Sequence, residues 1–351
     1  MAGYILKRLL LMIPTLFGVM VVTFIVIQFV PGGPVEQLIS QMQHQNAAGE
    51  GGGGSRMPMY RGDSGLDSEH IEKLKALYGF DKPVHQRFFD MLVNYATFNL
   101  GDSYFHHKSV LDLVISKLPV SISLGMWTFF IVYLTSVPLG IAKAARDGSR
   151  FDVASTSIIL IGYAIPGFVL GITLLVLFGG GSFWSVFPLR GLVSDGWDML
   201  PWYAQIGDYL WHITLPVIAS VVGSFAVVTM LTKNSFVEEI RKQYVLTARA
   251  KGLPAKTVLY KHVFRNAMIP LITGFPAAFM GAFFASSLLI ETIFSLDGLG
   301  LLSYESVMKR DYPVVLGTLY LFTLLGLIAK LLSDLCYVLI DPRIQFESAE
   351  S

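Results

Sequence analysis

The sequence predicts an all-α polytopic membrane protein: six transmembrane helices with a small outer helical cap. Three observations carry that prediction. Of the 351 residues, 53% are hydrophobic and only 15% are charged, with a mean hydropathy of +0.58. Soluble domains carry about 25% charged residues, so this surface cannot mainly face water. The apolar residues are also gathered into six long, nearly uncharged blocks: Leu9–Val30, Ser121–Ala142, Ala154–Phe178, His212–Leu231, Met268–Ile290 and Val314–Ile340. A spanning helix needs about 20 such residues. The segments joining the blocks, finally, alternate between basic and acidic, as a topology with two chemically different sides requires. These features exclude a soluble enzyme, a nucleic-acid-binding domain and a disulfide scaffold.

The first block follows MAGYILKRLL, and at about 22 apolar residues it is long for a signal-peptide core. Pro31-Gly32-Gly33-Pro34 follows it, with no small-residue cleavage site, so residues 1–30 read as a retained helix. Residues 31–117 form a polar outer region. Its 45–65 segment, rich in Gly and including Gly51-Gly52-Gly53-Gly54-Ser55, has the composition of a flexible coil, natural or engineered. Order is expected to return at Leu66, with Asp67 or Ser68 capping a helix through Tyr78 that Gly79 ends. Pro83 suits the first turn of a second helix, on which Phe88, Phe89, Leu92 and Tyr95 make an aromatic stripe. Packing against the membrane domain or the membrane surface explains that stripe better than a ligand site does.

Residues 118–341 supply the remaining five spans as one core, with 342–351 as a tail. Pro138, Gly162, Pro166, Gly167, Gly171, Gly274, Pro276 and Gly281 fall inside spans. Individually, close helix packing accounts for them; together they suit a bundle that must move. Ser121, Ser123, Thr128, Thr135 and Thr156 fit either a polar passage or interhelical hydrogen bonds.

The net charge of +1 conceals a division. With the N-terminus inside, residues 1–8, 143–152, 233–267 and 341–351 face the cytoplasm and hold 14 of the 26 basic residues, for a net +7. The outer segments sum to −5, and the two shorter ones hold only Arg190, Lys309 and Arg310 as cations. Both termini are therefore expected in the cytoplasm. Eight of the 14 inner cations lie in one loop, 233–267.

That loop is too regular for a linker. Asn234 or Ser235 can cap a helix carrying Glu238 and Glu239 early and Arg241 and Lys242 later, complementing its dipole. It runs through Tyr244 to Gly252, which fits a left-handed C-terminal cap, and Pro254 opens a second helix over 254–265. Small residues at the turn (Ala248, Ala250, Gly252), rimmed by Arg249, Lys251 and Lys256, make a knob that another protein's backbone can approach. A positively charged topogenic loop explains the charge but leaves the Gly-Pro break unexplained.

Tyr244–Pro270, YVLTARAKGLPAKTVLYKHVFRNAMIP, resembles the EAA loop of bacterial ABC importer permeases in its dipeptide and oligopeptide permease form. Val30–Pro34, Leu100-Gly101-Asp102-Ser103, Gly298-Leu299-Gly300 followed by Arg310-Asp311-Tyr312-Pro313, and Asp341-Pro342-Arg343 agree with that family. Phe187–Leu192, Leu210–Leu215 and Met230–Phe236 narrow the likeness to one branch of it. Only 45–65 is unmatched.

The resemblance implies the type I ABC importer permease fold, with the loop acting as the coupling helix that enters a cleft of an ATPase subunit. Thr247, Ala248 and Gly252 correspond to the motif's core, Asn266 and Pro270 to its closing end. The implied contact set is Tyr244, Thr247, Ala248, Arg249, Ala250, Lys251, Gly252, Leu253, Asn266 and Pro270. Leu246 stands where the motif's name-giving Glu would be, so a contact through that carboxylate is not implied. The implied partners are a second homologous permease subunit, ABC ATPase subunits, a periplasmic substrate-binding protein, a peptide substrate and the lipid bilayer of the bacterial inner membrane, with no nucleic acid.

No G-x-x-x-x-G-K-[ST] phosphate loop is present, so the chain is expected to be a transport subunit and not itself an enzyme, with ATP and Mg bound by the partner ATPase. No G-x-S-x-G or H-E-x-x-H signature appears, and the seven histidines lack metal-ligand spacing; neither a catalytic nor a metal site is expected. Cys336 is the one cysteine, which excludes an intramolecular disulfide. Lys330 and Asp334, one turn apart on the last span, read first as a structural pair, then as an interface or gate, and last as a proton relay. Glu291 reads as a boundary residue. The reading from another class is a secondary carrier, or another polytopic protein working without an ATPase; it would need a buried ionisable relay, and the spans offer only that pair.

Overall fold

In the computed structural model, residues 2–29, 82–106, 108–180, 183–284 and 288–340 are described. The expected helix through Tyr78, the 45–65 coil, Val30–Pro34, Asp341-Pro342-Arg343 and the 342–351 tail lie outside these residues.

The described chain is helical. Helix α1 is Ala2–Phe29, α2 Val84–Ala96, α3 Val110–Ala145, α4 Arg150–Ala164, α5 Gly167–Phe178 and α6 Trp202–Ile240. The short α7, Gln243–Ala250, is followed by α8, Ala255–Ala267, whose middle is a π-helical turn over Val258–Val263. Then come α9 (Ile269–Phe284), α10 (Leu288–Ile293), α11 (Leu299–Lys309) and α12 (Tyr312–Ile340). Among the described residues, four helices, within α1, α3, α6 and α12, are long and apolar enough to cross a membrane unbroken. Two bent pairs bring the number to six if each is a single span.

One such pair replaces the continuous third span that the hydropathy predicts. Between α4 and α5 the axis turns by 88°. Ile165 and Pro166 are both extended there, with ψ of 117° and 135°. Pro166 has no N–H to continue the ladder and disfavours a helical residue before it. The other pair is α8 and α9, bent by 52°.

The chain forms two compact units. One takes residues 1–9, 116–302 and 322–351, the other 10–115 and 303–321, counting described residues only. In the second unit the aromatic stripe of α2 packs as the sequence predicts. Phe88 lies 6.1 Å from Phe17 and 5.1 Å from Phe24, and buried Tyr95 is 5.2 Å from Tyr320, ring centre to ring centre. Phe89 is the exception and is exposed. This unit also joins two motif stretches 208 residues apart: Ser103 Oγ donates to Asp311 Oδ2 at 2.5 Å, and the Tyr104 N–H donates to Oδ1 at 3.1 Å.

Within the first unit, Leu124, Ile213, Leu215, Val217, Ala219, Ile290, Phe294 and Leu296 form one buried apolar cluster. Glu291 lies near the end of α10, and its role is more than that of a boundary residue. It is fully buried and accepts the Leu301 N–H at 2.7 Å, so it fixes the turn that leads into α11. Asp334 also departs from expectation: Arg8 Nη2 stands 2.9 Å from it, while Lys330, largely exposed, is 4.0 Å away. The tighter partner comes from α1, and no spacing rule within α12 could have shown it.

Candidate functional site

The candidate site, the 233–267 segment, is folded, though not by the route its capping residues imply. A new helix capped by Asn234 or Ser235 is expected; instead α6 runs unbroken to Ile240. At 39 residues it is about 58 Å long, far more than the roughly 30 Å hydrocarbon thickness requires. Asn234 is exposed, and the Ser235 hydroxyl donates to the Ala267 carbonyl at 2.6 Å. Ser235 is thus used to tie α6 to the end of α8, and burial of Phe236 holds the register. The break falls at Arg241–Lys242, where Lys242 is extended (ψ 151°) and α7 begins.

The C-terminus of α7 is built as expected. Gly252 has φ +78°, the left-handed region that glycine occupies without strain. Its N–H donates to the Arg249 carbonyl at 2.9 Å and the Leu253 N–H to the Ala248 carbonyl at 3.3 Å, the paired bonds of a Schellman turn. Pro254 then starts α8, with the Val258 N–H returning to the Pro254 carbonyl at 3.0 Å.

This geometry divides the segment into a base and a tip. Val245, Ala248, Val258, Val263 and Ala267 are buried with Phe236 of α6 and with Ile141 and Ala144 of α3. Leu246, Thr247, Arg249, Ala250, Lys251, Gly252 and Leu253 are exposed, with Lys256 beside them. Of the residues the motif implies, Ala248 therefore faces inward as part of the base, while the others at the turn form the presented surface. Leu246 is half exposed on that surface, an apolar group where the motif's carboxylate would stand.

A buried carboxylate anchors the base. Glu239 is 5% exposed and accepts from Tyr244 Oη at 2.7 Å and from Asn266 Nδ2 at 3.0 Å, and it pairs with Lys242. Glu239 thus joins the first and last parts of the loop, tying Tyr244 and Asn266 to the end of α6. Burial, and then the hydrogen bond to Glu239, push the Tyr244 hydroxyl up to about 12, so it stays a donor. The Lys242 ammonium is held above its ordinary range, chiefly by its hydrogen bond to Glu239. Sequence reasoning places Glu239 only as a dipole-favouring residue; its spacing to Asn266 gives no sign that the two meet. Pro270 is exposed in the first turn of α9 and takes no part in this network.

The same unit holds a cavity of about 810 Å³ between α3, α4, α5, α6, α9 and α10. Phe129, Tyr133, Tyr163 and Phe168 give it aromatic walls, and Thr128, Ser220 and Ser224 add aliphatic hydroxyls. Among the described residues, no charged side chain lines it. Of the hydroxyls proposed for a passage, Thr128 reaches it. Ser121 accepts the Leu299 N–H, Thr135 donates to its own helix, and Thr156 accepts from Lys143.

Comparison with known proteins places the chain in a family. Residues 136–346 match the family described as binding-protein-dependent transport system inner membrane component. The inner membrane ABC transporter permease protein YejB of Escherichia coli O157:H7 is 56% identical over 99% of this chain and 100% of its own length. The peptidoglycan transport system permease protein YejB of Agrobacterium fabrum is 58% identical, covering 99% of each chain. The di/tripeptide transport system permease protein DppB of Pseudomonas aeruginosa is 31% identical over 99% of this chain and 100% of its own.

Proposed function

The chain belongs to the binding-protein-dependent transport system inner membrane component family, and from that membership we propose that it is one permease subunit of an ATP-driven importer of peptides or peptide-like compounds. The observation that carries the reading is the division of the loop 241–267. An exposed tip of small and basic residues stands on a base fixed by buried Phe236, Val245 and Glu239. A tip held so firmly can pass on a push.

In this reading α7 docks into an ATPase subunit, which binds ATP and Mg on its own residues. A second homologous permease completes the pathway, and a binding protein delivers substrate to the acidic outer face. Both termini lie in the cytoplasm. The named transport activities of the relatives support a peptide or cell-wall peptide as cargo. The uncharged, aromatic cavity supports a pathway that passes peptides without holding them by ion pairs. Family membership favours this reading over an ion-coupled carrier.

Gly252→Trp tests it. A Cβ at Gly252 would meet nothing within 4 Å, so the added bulk falls on whatever docks there. The positive φ adds strain of about 1–2 kcal/mol. Membrane insertion should persist while ATP-dependent uptake of labelled trialanine or a labelled muropeptide is lost; normal uptake refutes coupling through α7. Transport of either probe by the purified chain in liposomes without an ATPase would favour the carrier instead.

A further inference from the structure

Behind the coupling loop lies a second set of charges that the docking surface does not use. Helix α3 ends at Ala145, and α4 begins at Arg150 with Ser149 as its cap, the Asp152 N–H donating to Ser149 Oγ at 3.2 Å. Lys143 has no exposed surface, yet every proton of its ammonium has an acceptor. Asp152 Oδ1 is 3.1 Å away, the Asp152 carbonyl 2.9 Å, and the hydroxyls of Ser155 and Thr156 2.7 Å each. The Lys143–Asp152 pair therefore closes the α3–α4 corner from within.

Two cations from outside the corner are fastened to it. Lys233 of α6 lies 2.6 Å from Asp152 Oδ2 and 3.3 Å from Asp147 Oδ1. Arg241, at the break where the coupling segment starts, lies 3.1 Å from Asp147. The bodies of the helices touch here as well: a Cβ on Gly140 of α3 would stand 2.5 Å from the Thr232 side chain of α6.

Beyond the corner, α4 lies against α6, Gly162 facing Val222, and otherwise presents its side chains outward. Of its 15 residues only Asp152 and Ile159 are buried. Its far end carries Tyr163 to the cavity wall, just before the break at Ile165–Pro166. A helix pinned at one end by buried charges and largely exposed along its length can pivot about the pinned end.

We propose that Lys233 is a positioning residue that makes α4 follow the coupling helix, with Arg241 as its auxiliary. A displacement of α7 moves the end of α6, the ion cluster carries it to the α3–α4 corner, and α4 carries it about 16 Å further, from Asp152 to Tyr163 at the cavity. The inference rests on the importer reading and adds to it the route by which the coupling helix acts.

The test uses the full complex, with both permeases, ATPase and binding protein, in proteoliposomes supplied with labelled trialanine or muropeptide. The readout is the number of peptides moved per ATP hydrolysed, which a merely structural role would leave constant among assembled complexes. Lys233→Gln leaves Lys143 in place as the partner of Asp152, so the corner keeps its internal pair. Peptides moved per ATP should fall at least tenfold in Lys233→Gln and return to within about threefold of wild type in Lys233→Arg. An unchanged ratio in Lys233→Gln, or equal losses in the two variants, overturns the proposal. Should neither Lys233 variant assemble, the exposed Arg241→Gln decides: a ratio reduced at least twofold supports the cross-link and an unchanged one overturns it. A wild-type complex without ATP-dependent uptake of either probe overturns the importer reading and the inference with it.

Discussion

Asp152 and Asp311 are the same residue type, each almost wholly buried at the start of a helix, with 3% and 1% of their surface exposed. Their partners differ in kind. Asp152 is held by two ammonium groups, from α3 and α6, and by the Gly148 N–H at 3.1 Å. The close donors to Asp311 are neutral, the Ser103 hydroxyl and the Tyr104 N–H, with His106 Nδ1 3.9 Å away. The first carboxylate binds three helices through charge, so its loss strands a buried cation. The second joins two stretches of chain far apart in sequence, and its loss leaves only neutral groups unbonded. A charged junction between helices can transmit force among them; a junction of neutral donors in one short turn is a static joint.

The comparison predicts its own largest effect. Asp152→Asn leaves Lys143 with hydroxyl and carbonyl acceptors but no counter-charge, and breaking a buried pair on one side costs about 3–5 kcal/mol. The thermal midpoint of the purified chain in detergent should fall accordingly. The double variant Lys143→Gln/Asp152→Asn should recover much of that loss, because no unpaired charge then remains inside the corner. A single-variant cost below about 1 kcal/mol would show that solvent reaches the cluster, which would break the contrast with Asp311.

Asp311→Asn should cost less, about 1.5–3 kcal/mol, the worth of hydrogen bonds to a charged acceptor. The amide oxygen can keep one of the two donors. Ser103→Ala in the same background should then add little, since the bond it removes is already weakened; full additivity would show that the two residues act separately. A cost equal to that of Asp152→Asn would mean that the proximity of His106 matters more than its 3.9 Å separation implies.

These two aspartates also mark where the sequence is legible. The apolar blocks foretell the long helices because burial in lipid is a property of composition over some 20 residues. The aromatic stripe of α2 and the left-handed Gly252 are visible for a similar reason: both are local, set by helical spacing or by one residue's φ. The α4–α5 bend was written in Pro166, but hydropathy averages over a proline, and the block reads as one span. What is not legible is non-local. Lys143 and Asp152 are nine residues apart and stand in a loop that counts as topogenic charge; only the fold turns that count into a buried pair. Glu239 and Asn266 meet because α8 returns to α6, and Ser235 serves that return instead of capping a helix. LGDS and RDYP resemble family motifs singly, and only the fold shows that they meet, through the Ser103–Asp311 bond across 208 residues.

The smallest expected effect separates the exposed pair of the inner cluster from the buried one. Arg241 is 73% exposed and Asp147 37%, so their pair sits in high dielectric, and Arg241→Gln should cost only about 0.2–1 kcal/mol. Salt sharpens the difference. Raising ionic strength from about 0.01 M to 1 M shortens the Debye length from about 30 Å to 3 Å, which screens exposed charges and leaves buried ones nearly untouched. The gap in thermal midpoint between wild type and Arg241→Gln should therefore close with added salt, while the gap for Asp152→Asn persists. If both gaps close together, Lys143 and Asp152 are reached by solvent ions and the corner is softer than its burial indicates. If neither closes, Arg241 contributes through the packing of its aliphatic stem rather than its charge, and Lys233 alone carries the ionic link between α6 and α4.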